Sequence, residues 1–408
     1  MRETIGRIND AVRRKPFGPS ALLHHAQSRF IEAETHLNYR PRRCIETGAN
    51  MPQLRKKYFE LIAGQPMPGG RLVRFFLRAA SIPYSIAVRI RNRLIDLRPG
   101  SVHSVGVPVV SIGNMTTGGT GKTPVVALLV DELTKRSLRP GIVSRGYRSL
   151  SDEGNDEKRV LTTLCPEAPH VQNSDRVAAA RQCISQFDAG ILVADDGFQH
   201  RRLARNLDIV LVDALNPWGH DFVLPRGLLR EPMSGLRRAD LVILTRADQI
   251  SAERRDEIWS QARQWCEVAG EVEVCFEPDE LIDLAGNRTP ISEAGPGEKV
   301  VAFCGIGNPA GFQQTLETAG FQVEELIEFP DHHHFSPSDI EAAAAKARQA
   351  GCGLITTLKD LVKIDSSPDD VPLCALNIQA KATRGEDLLA AELDRIAALA
   401  GKSDDRSP

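Results

Sequence analysis

A glycine-rich turn at a strand–helix junction constrains the fold of this 408-residue chain more than any other feature. An apolar stretch from Val107 to Val110 precedes the run Thr116-Thr-Gly-Gly-Thr-Gly-Lys-Thr123, and a helical apolar pattern follows from Val125 to Leu133. A loop of this kind surrounds phosphate oxygens with backbone N–H groups and directs a helix N-terminus towards them. The pattern therefore predicts that residues 116–123 bind a nucleoside triphosphate.

Single residues of this loop have distinct predicted roles. Lys122 is expected to reach the β- and γ-phosphates, and the hydroxyl of Thr123 to hold Mg²⁺. The usual loop has a glycine where this chain has Thr116, so Gly118 and Gly119 are expected to supply the backbone freedom instead. The remaining residues assigned to the nucleotide are Thr117, Thr120 and Gly121. A glycine turn without a ligand is the alternative, but Gly-Lys-Thr at a strand–helix junction is rare by accident.

Short apolar strands alternate with helical patterns from Val107 onward, which predicts an α/β fold with a doubly wound, P-loop NTPase-like parallel sheet. The predicted strands are Val107–Ile112, Gly141–Ser144, Ile191–Ala194, Ile209–Val212 and Leu241–Thr245, then Val272–Phe276, Lys299–Phe303, Gly353–Thr356 and Pro372–Leu376, before a terminal helix over Ala382–Leu399. A break near Gln264–Gly270 indicates a second, smaller α/β domain. The predicted organisation is an N-terminal extension at 1–50, disordered or dispensable, basic membrane-facing helices at 51–100, a P-loop kinase domain at 101–268 and the smaller domain at 269–408.

Composition excludes several classes of protein. The formal net charge of −2 provides no overall field for nucleic acid, and we expect no nucleic-acid partner. Eight cysteines without a CxxC pair are typical of reduced thiols rather than of disulfides or a zinc site. No stretch reaches the roughly 18 apolar residues of a transmembrane helix.

One basic segment, Arg71–Arg98, has seven arginines, a single acid at Asp96, and Leu, Phe and Ile between them. A basic amphipathic helix, broken near Pro83, would lie on an anionic membrane surface. The alternative is a helix packed on the domain with its arginines in water, and the residues alone leave both open.

The strand Ile191–Ala194 runs into two adjacent carboxylates, Asp195 and Asp196. An acid at the end of an apolar strand downstream of a phosphate-binding loop is the arrangement that holds Mg²⁺ or its waters. We therefore expect Asp195 or Asp196 to be the metal ligand. Gln199 and His200 follow, and a packing role is preferred for His200.

Several short motifs follow one another along the chain: the loop Thr116–Pro124, Ser144-Arg-Gly-Tyr147, Asp195-Asp-Gly-Phe-Gln-His-Arg-Arg-Leu203, Leu224-Pro-Arg-Gly-Leu-Leu-Arg-Glu-Pro232, Gly305-Ile-Gly-Asn-Pro309, Phe329-Pro-Asp-His332 and Thr357-Leu-Lys-Asp360. Together they resemble the tetraacyldisaccharide 4'-kinase family of Gram-negative bacteria. The resemblance implies phosphoryl transfer from Mg-ATP to the 4'-hydroxyl of a tetraacylated glucosamine disaccharide 1-phosphate in lipid A biosynthesis. It also implies a peripheral enzyme at the cytoplasmic face of the inner membrane, and no obligate protein partner.

The resemblance also carries over a catalytic acid and a histidine partner. The family's acid follows the Ser-Arg-Gly-Tyr strand, which places it at Asp156, with Glu157 as its neighbour and Asp152 as the alternative. A carboxylate there would take the proton of the attacking sugar hydroxyl. The histidine partner corresponds to His332, with His333 as the second choice, and closure of two domains would complete the site.

Two further assignments concern the substrate and a competing function. Arg226 and Arg230 are candidates for binding a substrate phosphate, and Glu157 is the third residue assigned to the substrate. Thr245-Arg-Ala-Asp248 faintly resembles a base-reading element of GTPases, although a strand end before a helix cap at Asp248 or Ser251 is preferred. With the histidine run it leaves a nucleotide-dependent switch or metal-delivery GTPase as the alternative function.

Overall fold

The computed structural model describes residues 51–146, 155–266, 271–294 and 297–404. The predicted extension at 1–50, Tyr147 and the alternative acid Asp152 lie outside the described residues. The strands are β1 (Val109–Asn114), β2 (Pro140–Ser144), β3 (His170–Gln172), β4 (Ile191–Asp195), β5 (Leu207–Asp213), β6 (Leu241–Thr245), β7 (Val272–Asp283), β8 (Arg288–Pro290), β9 (Lys299–Cys304), β10 (Gln322–Glu328), β11 (Gly353–Thr357) and β12 (Leu373–Arg384). The helices are α1 (Met51–Ile62), α2 (Gly70–Asp96), α3 (Lys122–Lys135), α4 (Asp156–Leu164), α5 (Arg176–Phe187), α6 (Ala252–Arg263), α7 (Pro309–Thr318), α8 (Pro337–Ala350), α9 (Leu358–Leu361) and α10 (Glu386–Asp404).

All of these strands belong to one sheet, in the order β10-β9-β11-β12-β7-β6-β5-β1-β4-β2-β3, with β8 paired to β7 outside this path. Strands β1 to β6 pair in parallel, and their residues are almost all buried. Strands buried on both faces have continuous apolar runs, which explains why the sequence located most of them within two residues. The α/β fold with a mainly parallel sheet is confirmed.

Helices cover both faces of the sheet. Helices α3, α4 and α10 pack on one face, in a core that includes Val125, Leu161 and Leu393. Helices α5 and α6 belong to separate cores, around Ala180 and Trp259, that contain the alternate residues of the same strands. Because successive side chains of a strand point to opposite faces, this division shows the double winding that the alternating pattern predicted.

The long strands β7 and β12 form an antiparallel pair that connects the P-loop half of the sheet to β9, β10 and β11. Those three strands again pair in parallel and have their own cores around Phe303 and Leu316. The predicted domain boundaries, including the one at residue 268, remain a prediction.

Two details of the predicted elements were wrong. Helix α2 continues through Pro83, because Ser81 and Tyr84 on either side of the proline anchor it to the segment 222–231. The terminal helix begins at Glu386 rather than Ala382, because β12 extends to Arg384 and Gly385 then turns with a φ of 72°.

No helix in the described ranges is both long and apolar enough to span a bilayer.

Candidate active site

Strand β1 lies between β5 and β4, and Ile112 of β1 is in register with Asp195 of β4. The loop that follows β1 therefore begins beside the two aspartates that follow β4. The chain runs from β1 through α3 to β2, but in the sheet β4 lies between β1 and β2. In sheets of this kind, ligands bind at the point where the strand order reverses. The sheet topology thus brings together the two motifs that the sequence assigned to the nucleotide and its metal.

The loop has the backbone conformation of a phosphate-binding turn. Gly118 and Gly121 have φ values of 132° and 78°, which side chains rarely permit. Helix α3 begins at Lys122, and no side chain caps its N-terminus. Its first N–H groups are therefore available for an anion, as the sequence predicted.

Lys122 is directed at Asp196. Its Nζ lies 3.6 Å from Oδ1 of Asp196 and 3.4 Å from Oδ1 of Asn114, the last residue of β1. A lysine held by a weak, partly exposed ion pair can exchange that partner for phosphate oxygens. Lys122 therefore lies at the mouth of the loop, and its role as a phosphate ligand stays a prediction.

Arg230 reaches the same carboxylate from another segment of chain. The N–H of Arg230 donates to Met115 O at 2.7 Å, and the N–H of Thr117 donates to Leu228 O at 2.8 Å, so residues 228–230 run alongside the start of the loop. Nη1 of Arg230 donates to both oxygens of Asp196, at 3.0 and 2.9 Å. The structure thus places Arg230 beside the start of the loop and on the same carboxylate as Lys122.

Arg226 lies elsewhere. Its Nη1 donates to Ile62 O at 2.9 Å, and its guanidinium is 4.6 Å from the centre of the Phe222 ring. Arg78 of α2 is 5.3 Å from the same ring centre. Burial, then the charges of Arg74 and Arg78, lower the pKa of Arg226. The two predicted substrate arginines therefore have separate surroundings.

The pKa values of the two adjacent aspartates are shifted in opposite directions. Burial raises the pKa of Asp195 to about 6, and the charges of Glu157 and Asp196 add to this against the opposing charge of Lys122. Burial of Asp196 has the same tendency, but Lys122 and Arg230 outweigh it, so the pKa of Asp196 is lowered. Oδ1 of Asp195 is buried without a hydrogen-bond partner. An orphaned acceptor at this position fits a hard cation held by few protein ligands and by phosphates.

No group of three or more metal-binding side chains occurs among the residues that the structure describes. The histidine run illustrates this. His333 is stacked on Phe329 with ring centres 4.7 Å apart, and its Nε2 is 3.1 Å from Oδ2 of Asp339. His333 thus packs on an aromatic ring and contacts a carboxylate at the start of α8.

Several residues around the two aspartates had no role assigned from the sequence. Nη2 of Arg176, a buried arginine of α5, donates to the backbone oxygen of Asp196 at 3.5 Å. Gln199 donates to Asn114 O at 3.0 Å and to Glu231 at 3.1 Å. Glu231 is fully buried and accepts from Arg238 at 2.9 Å. These residues come from distant parts of the chain. Only Gln199 and Glu231 lie in motifs that the sequence analysis had identified, 195–203 and 224–232.

Asp156 is the first residue of α4. Asn155 before it caps the helix by accepting from the N–H of Lys158 at 3.1 Å, and Gln172 of β3 donates to that same side chain at 2.8 Å. The neighbouring Glu157 acts on the charge of buried Asp195. Both residues are thus at the helix end that faces the carboxyl edge of β4.

His332 occupies a left-handed backbone conformation with a φ of 62°, and its side chain is three-quarters exposed. Its N–H donates to Gly305 O at 3.0 Å, and the N–H of Gly305 donates to Oδ2 of buried Asp360 at 2.9 Å. The Thr357-Leu-Lys-Asp360 motif therefore fixes the backbone that presents His332. Neither a hydrogen bond nor an ion pair joins Asp156 to His332, so this structure does not bring the predicted pair together.

This combination of a mainly parallel α/β sheet, a Gly-Lys-Thr loop after β1 and a strand-end aspartate on the adjacent β4 defines a P-loop nucleotide-binding protein. A family model described as tetraacyldisaccharide-1-P 4'-kinase matches residues 73–397. The chain therefore belongs to the tetraacyldisaccharide 4'-kinase family, and it is a kinase.

Named relatives agree with this assignment. The chain is 38% identical over 356 residues to a tetraacyldisaccharide 4'-kinase of Anaeromyxobacter sp. (strain K), with 82% of this chain and 94% of that protein covered. A tetraacyldisaccharide 4'-kinase of Syntrophus aciditrophicus (strain SB) is 37% identical, with 77% of this chain and 92% of that protein covered. The crystal structure of the "apo" form of LpxK from Aquifex aeolicus in complex with ATP matches with a TM-score of 0.65 and 28% identity, over 79% of this chain and 99% of that one.

Proposed function

We propose that this chain transfers the γ-phosphate of ATP to the 4'-hydroxyl of a tetraacylated glucosamine disaccharide 1-phosphate, a step of lipid A biosynthesis. The observation that carries the proposal is the convergence of Lys122 and Arg230 on Asp196 at the mouth of an uncapped, glycine-rich loop. Phosphoryl transfer depends mainly on positioning and on compensating charge, and this arrangement supplies both.

The triphosphate binds along residues 116–123. The backbone N–H groups of Gly118, Gly119 and Gly121 and the first turn of α3 hold its oxygens, with the side chains of Thr116, Thr117 and Thr120 shaping the loop. Lys122 leaves Asp196 for the β- and γ-phosphates and compensates charge at the group in transfer. Arg230 remains on Asp196, so that this carboxylate keeps a cation when Lys122 departs.

The metal assigned to this site is Mg²⁺. Asp195 and the hydroxyl of Thr123 would hold it directly, since Oδ1 of Asp195 has no other partner and Asp196 is engaged by Arg230. Bound there, Mg²⁺ would neutralise phosphate charge and orient the γ-phosphate. The buried charge of Asp195 gains a counterion at the same time.

Asp156 takes the proton of the acceptor hydroxyl, and His332 orients it. The support for Asp156 is its place at the N-terminus of α4, braced by Asn155 and Gln172. His332 lies on a backbone turn that Gly305 and Asp360 hold, and its exposed imidazole makes a long contact, 3.9 Å from Nε2 to Oδ1 of Asp331. The two residues come into contact when the halves of the sheet on either side of β7 and β12 close.

Helix α2 places the enzyme on the membrane. Its outward face carries large apolar side chains that are about half to two-thirds exposed, among them Phe75, Phe76, Ile82, Ile86, Ile90 and Leu94. Its inward face anchors the site, because Asn92 donates to Glu231 at 3.1 Å and Tyr84 donates to Arg230 O at 2.8 Å. One helix thus connects a lipid-facing surface to the catalytic residues, which suits a peripheral enzyme at the cytoplasmic face of the inner membrane.

The 1-phosphate of the acceptor binds at Arg226. Burial, and after it the charges of Arg74 and Arg78, lower the pKa of Arg226, and an anion bound near these arginines would relieve their repulsion. Arg78 also belongs to α2, so this phosphate would lie near the membrane surface. Arg230 serves the nucleotide instead, at the other end of the acceptor.

Incubation with γ-labelled ATP and the tetraacyldisaccharide 1-phosphate, followed by extraction of lipids, tests the proposal. We expect label in the lipid fraction with ATP and far less with GTP. Hydrolysis of GTP without a labelled lipid would instead support a nucleotide-dependent switch.

A further inference from the structure

We propose that Thr245 and Arg246, at the carboxyl end of β6, are positioning residues that keep the phosphate-binding loop open towards the triphosphate. Oγ1 of Thr245 donates to Thr120 O at 3.0 Å, and Val212 O is a second, longer acceptor at 3.3 Å. Nη2 of Arg246 donates to Gly119 O at 2.9 Å. The inference rests on the ATP-binding part of the proposed function and adds a role for two residues outside the loop.

The need for such residues follows from the geometry of a peptide unit. In a trans peptide the C=O and the following N–H point in opposite directions. Holding the carbonyls of Gly119 and Thr120 against β6 therefore turns the N–H groups of Thr120 and Gly121 towards the other side of the loop. These are the groups that a phosphate requires.

Side-chain packing does not restrict the backbone at residue 119. A Cβ added to Gly119 would have no heavy atom within 4 Å, so packing does not fix this residue. This loop also departs from the usual one at Thr116 and depends on Gly118 and Gly119, the residues with the greatest backbone freedom. Hydrogen bonds from β6 restrict that freedom before the nucleotide arrives, which lowers the entropy lost on binding.

The guanidinium of Arg246 is fixed between the loop and β5. The backbone of this residue is left-handed, with a φ of 56°, which is a strained conformation for a residue other than glycine. Its Nη1 pairs with Oδ2 of Asp213 at 2.6 Å, which fixes the guanidinium from the other side. Thr245 is fully buried and in register with Asp213 on the neighbouring β5.

The next loop residue is held by packing instead. A Cβ on Gly121 would come within 2.1 Å of Cζ of Phe276 on β7, so the ring lies directly against the loop. The centre of that ring is 5.8 Å from the Arg246 guanidinium. Residues 119–121 are thus held in succession by Arg246, Thr245 and Phe276. The motif that faintly resembled a base-reading element uses its first two side chains to support the loop.

The test compares two pairs of variants by the dissociation constant of Mg-ATP, measured calorimetrically, and by KM for ATP and for the lipid acceptor. Thr245→Val removes only the hydroxyl, and Arg246→Met removes the guanidinium at a partly exposed position. The matched controls are Thr356→Val, where a buried strand threonine donates to Phe303 O at 2.8 Å, and Arg288→Met, where an arginine joins Glu280 and a carbonyl.

We expect Thr245→Val and Arg246→Met to weaken Mg-ATP binding about 5- to 20-fold, the scale of one lost hydrogen bond with a loosened loop. KM for the acceptor should stay within about twofold, and Thr245→Ser should restore ATP affinity. The controls should lower Tm without changing ATP affinity.

Wild-type ATP affinity in both variants, or an equal loss in the controls, would overturn the inference while leaving the proposed function intact. A wild-type protein that binds ATP but labels no lipid would defeat the proposed function alone. Absence of ATP binding by the wild-type protein would defeat both.

Discussion

Arg230 and Asp196 form a forked contact in which one guanidinium nitrogen donates to both carboxylate oxygens, at 3.0 and 2.9 Å. Lys122 stands on the same carboxylate at 3.6 Å. Asp196 therefore has two cationic neighbours, and Arg230 is the more firmly held of the two. Under the proposed function, Arg230 is the structural cation and Lys122 is the cation that moves to the phosphates.

Loss of Arg230 should impair turnover through the charge of Asp196. In Arg230→Met we expect kcat to fall about 100-fold, because Lys122 must then remain on the unpaired aspartate. The pKa of Asp196 should rise when a lowering charge is removed, so the acid limb of the pH–rate profile should move to higher pH. Arg230→Lys should keep the position of that limb while losing the forked geometry. An unchanged pH profile in Arg230→Met would contradict this account.

The buried carboxylate of Asp195 should reduce the stability of the protein without ligand. Its folded pKa of about 6 exceeds the ordinary value of 3.8, so the folded state holds this proton more tightly. The protonated carboxyl of Asp195 therefore contributes to the free energy of unfolding below about pH 4, and this contribution is lost as the pH rises through about 6. We therefore expect Asp195→Asn to raise Tm at pH 7.5, by roughly 2 °C per kcal/mol, and to change it little at pH 4.5.

Asp208→Asn is the matched control for that experiment. Burial also raises the pKa of Asp208 to about 6, but this carboxylate has a partner in Arg205 at 2.9 Å. Its replacement should leave a buried arginine unpaired and lower Tm at pH 7.5. A lower Tm for Asp195→Asn as well would show that Asp195 is already compensated without a metal.

The assignment of the base predicts an effect on turnover rather than on nucleotide binding. Asp156→Ala should reduce kcat at least about 100-fold, the usual scale for a lost general base, with Mg-ATP affinity unchanged. His332→Ala should reduce kcat as well, and the double variant should lose less than the product of the two effects. Full activity in Asp156→Ala together with inactive Asp152→Ala would move the base to the alternative acid.

Acidic substitutions on the outward face of α2 test whether this helix binds the membrane. Phe75→Glu with Phe76→Glu should weaken binding to vesicles that contain anionic lipid at least about 10-fold, since each buried phenylalanine contributes about 1.5–3 kcal/mol. Both rings are about two-thirds exposed, so folding should be unaffected. Phe187→Glu on α5, at another half-exposed phenylalanine, is the control. Equal vesicle binding by all three proteins would contradict the assignment.

Most of the fold followed from strand burial. Strands such as β4 and β6 are enclosed on both faces and have continuous apolar runs, which a sequence displays clearly. The strands that were missed, β3, β8 and β10, lie at edges or off the main path of the sheet, and β10 carries Glu324, Glu325 and Glu328. Edge strands carry charge to prevent further pairing, so their pattern resembles a loop.

The sequence predicted those parts of the candidate site whose residues all lie in one short motif. The loop at 116–123 and the pair Asp195–Asp196 are of this kind, because a strand end fixes their position. Arg176 and Arg246 were not assigned to the site, since their contacts with Asp196 and Gly119 depend on how separate strands are ordered in the sheet. The separate surroundings of Arg226 and Arg230, four residues apart, likewise depend on the course of the chain between α2 and the loop.

The most direct test of the central claim is the mass and the phosphate position of the lipid product. With wild-type protein, Mg-ATP and the tetraacyldisaccharide 1-phosphate, we predict a product heavier by one phosphate group, located on the 4' position of the distal sugar, and no such product with Lys122→Ala. An acceptor recovered unchanged while ATP is consumed by wild-type protein, or an equal yield from Lys122→Ala, would contradict the account.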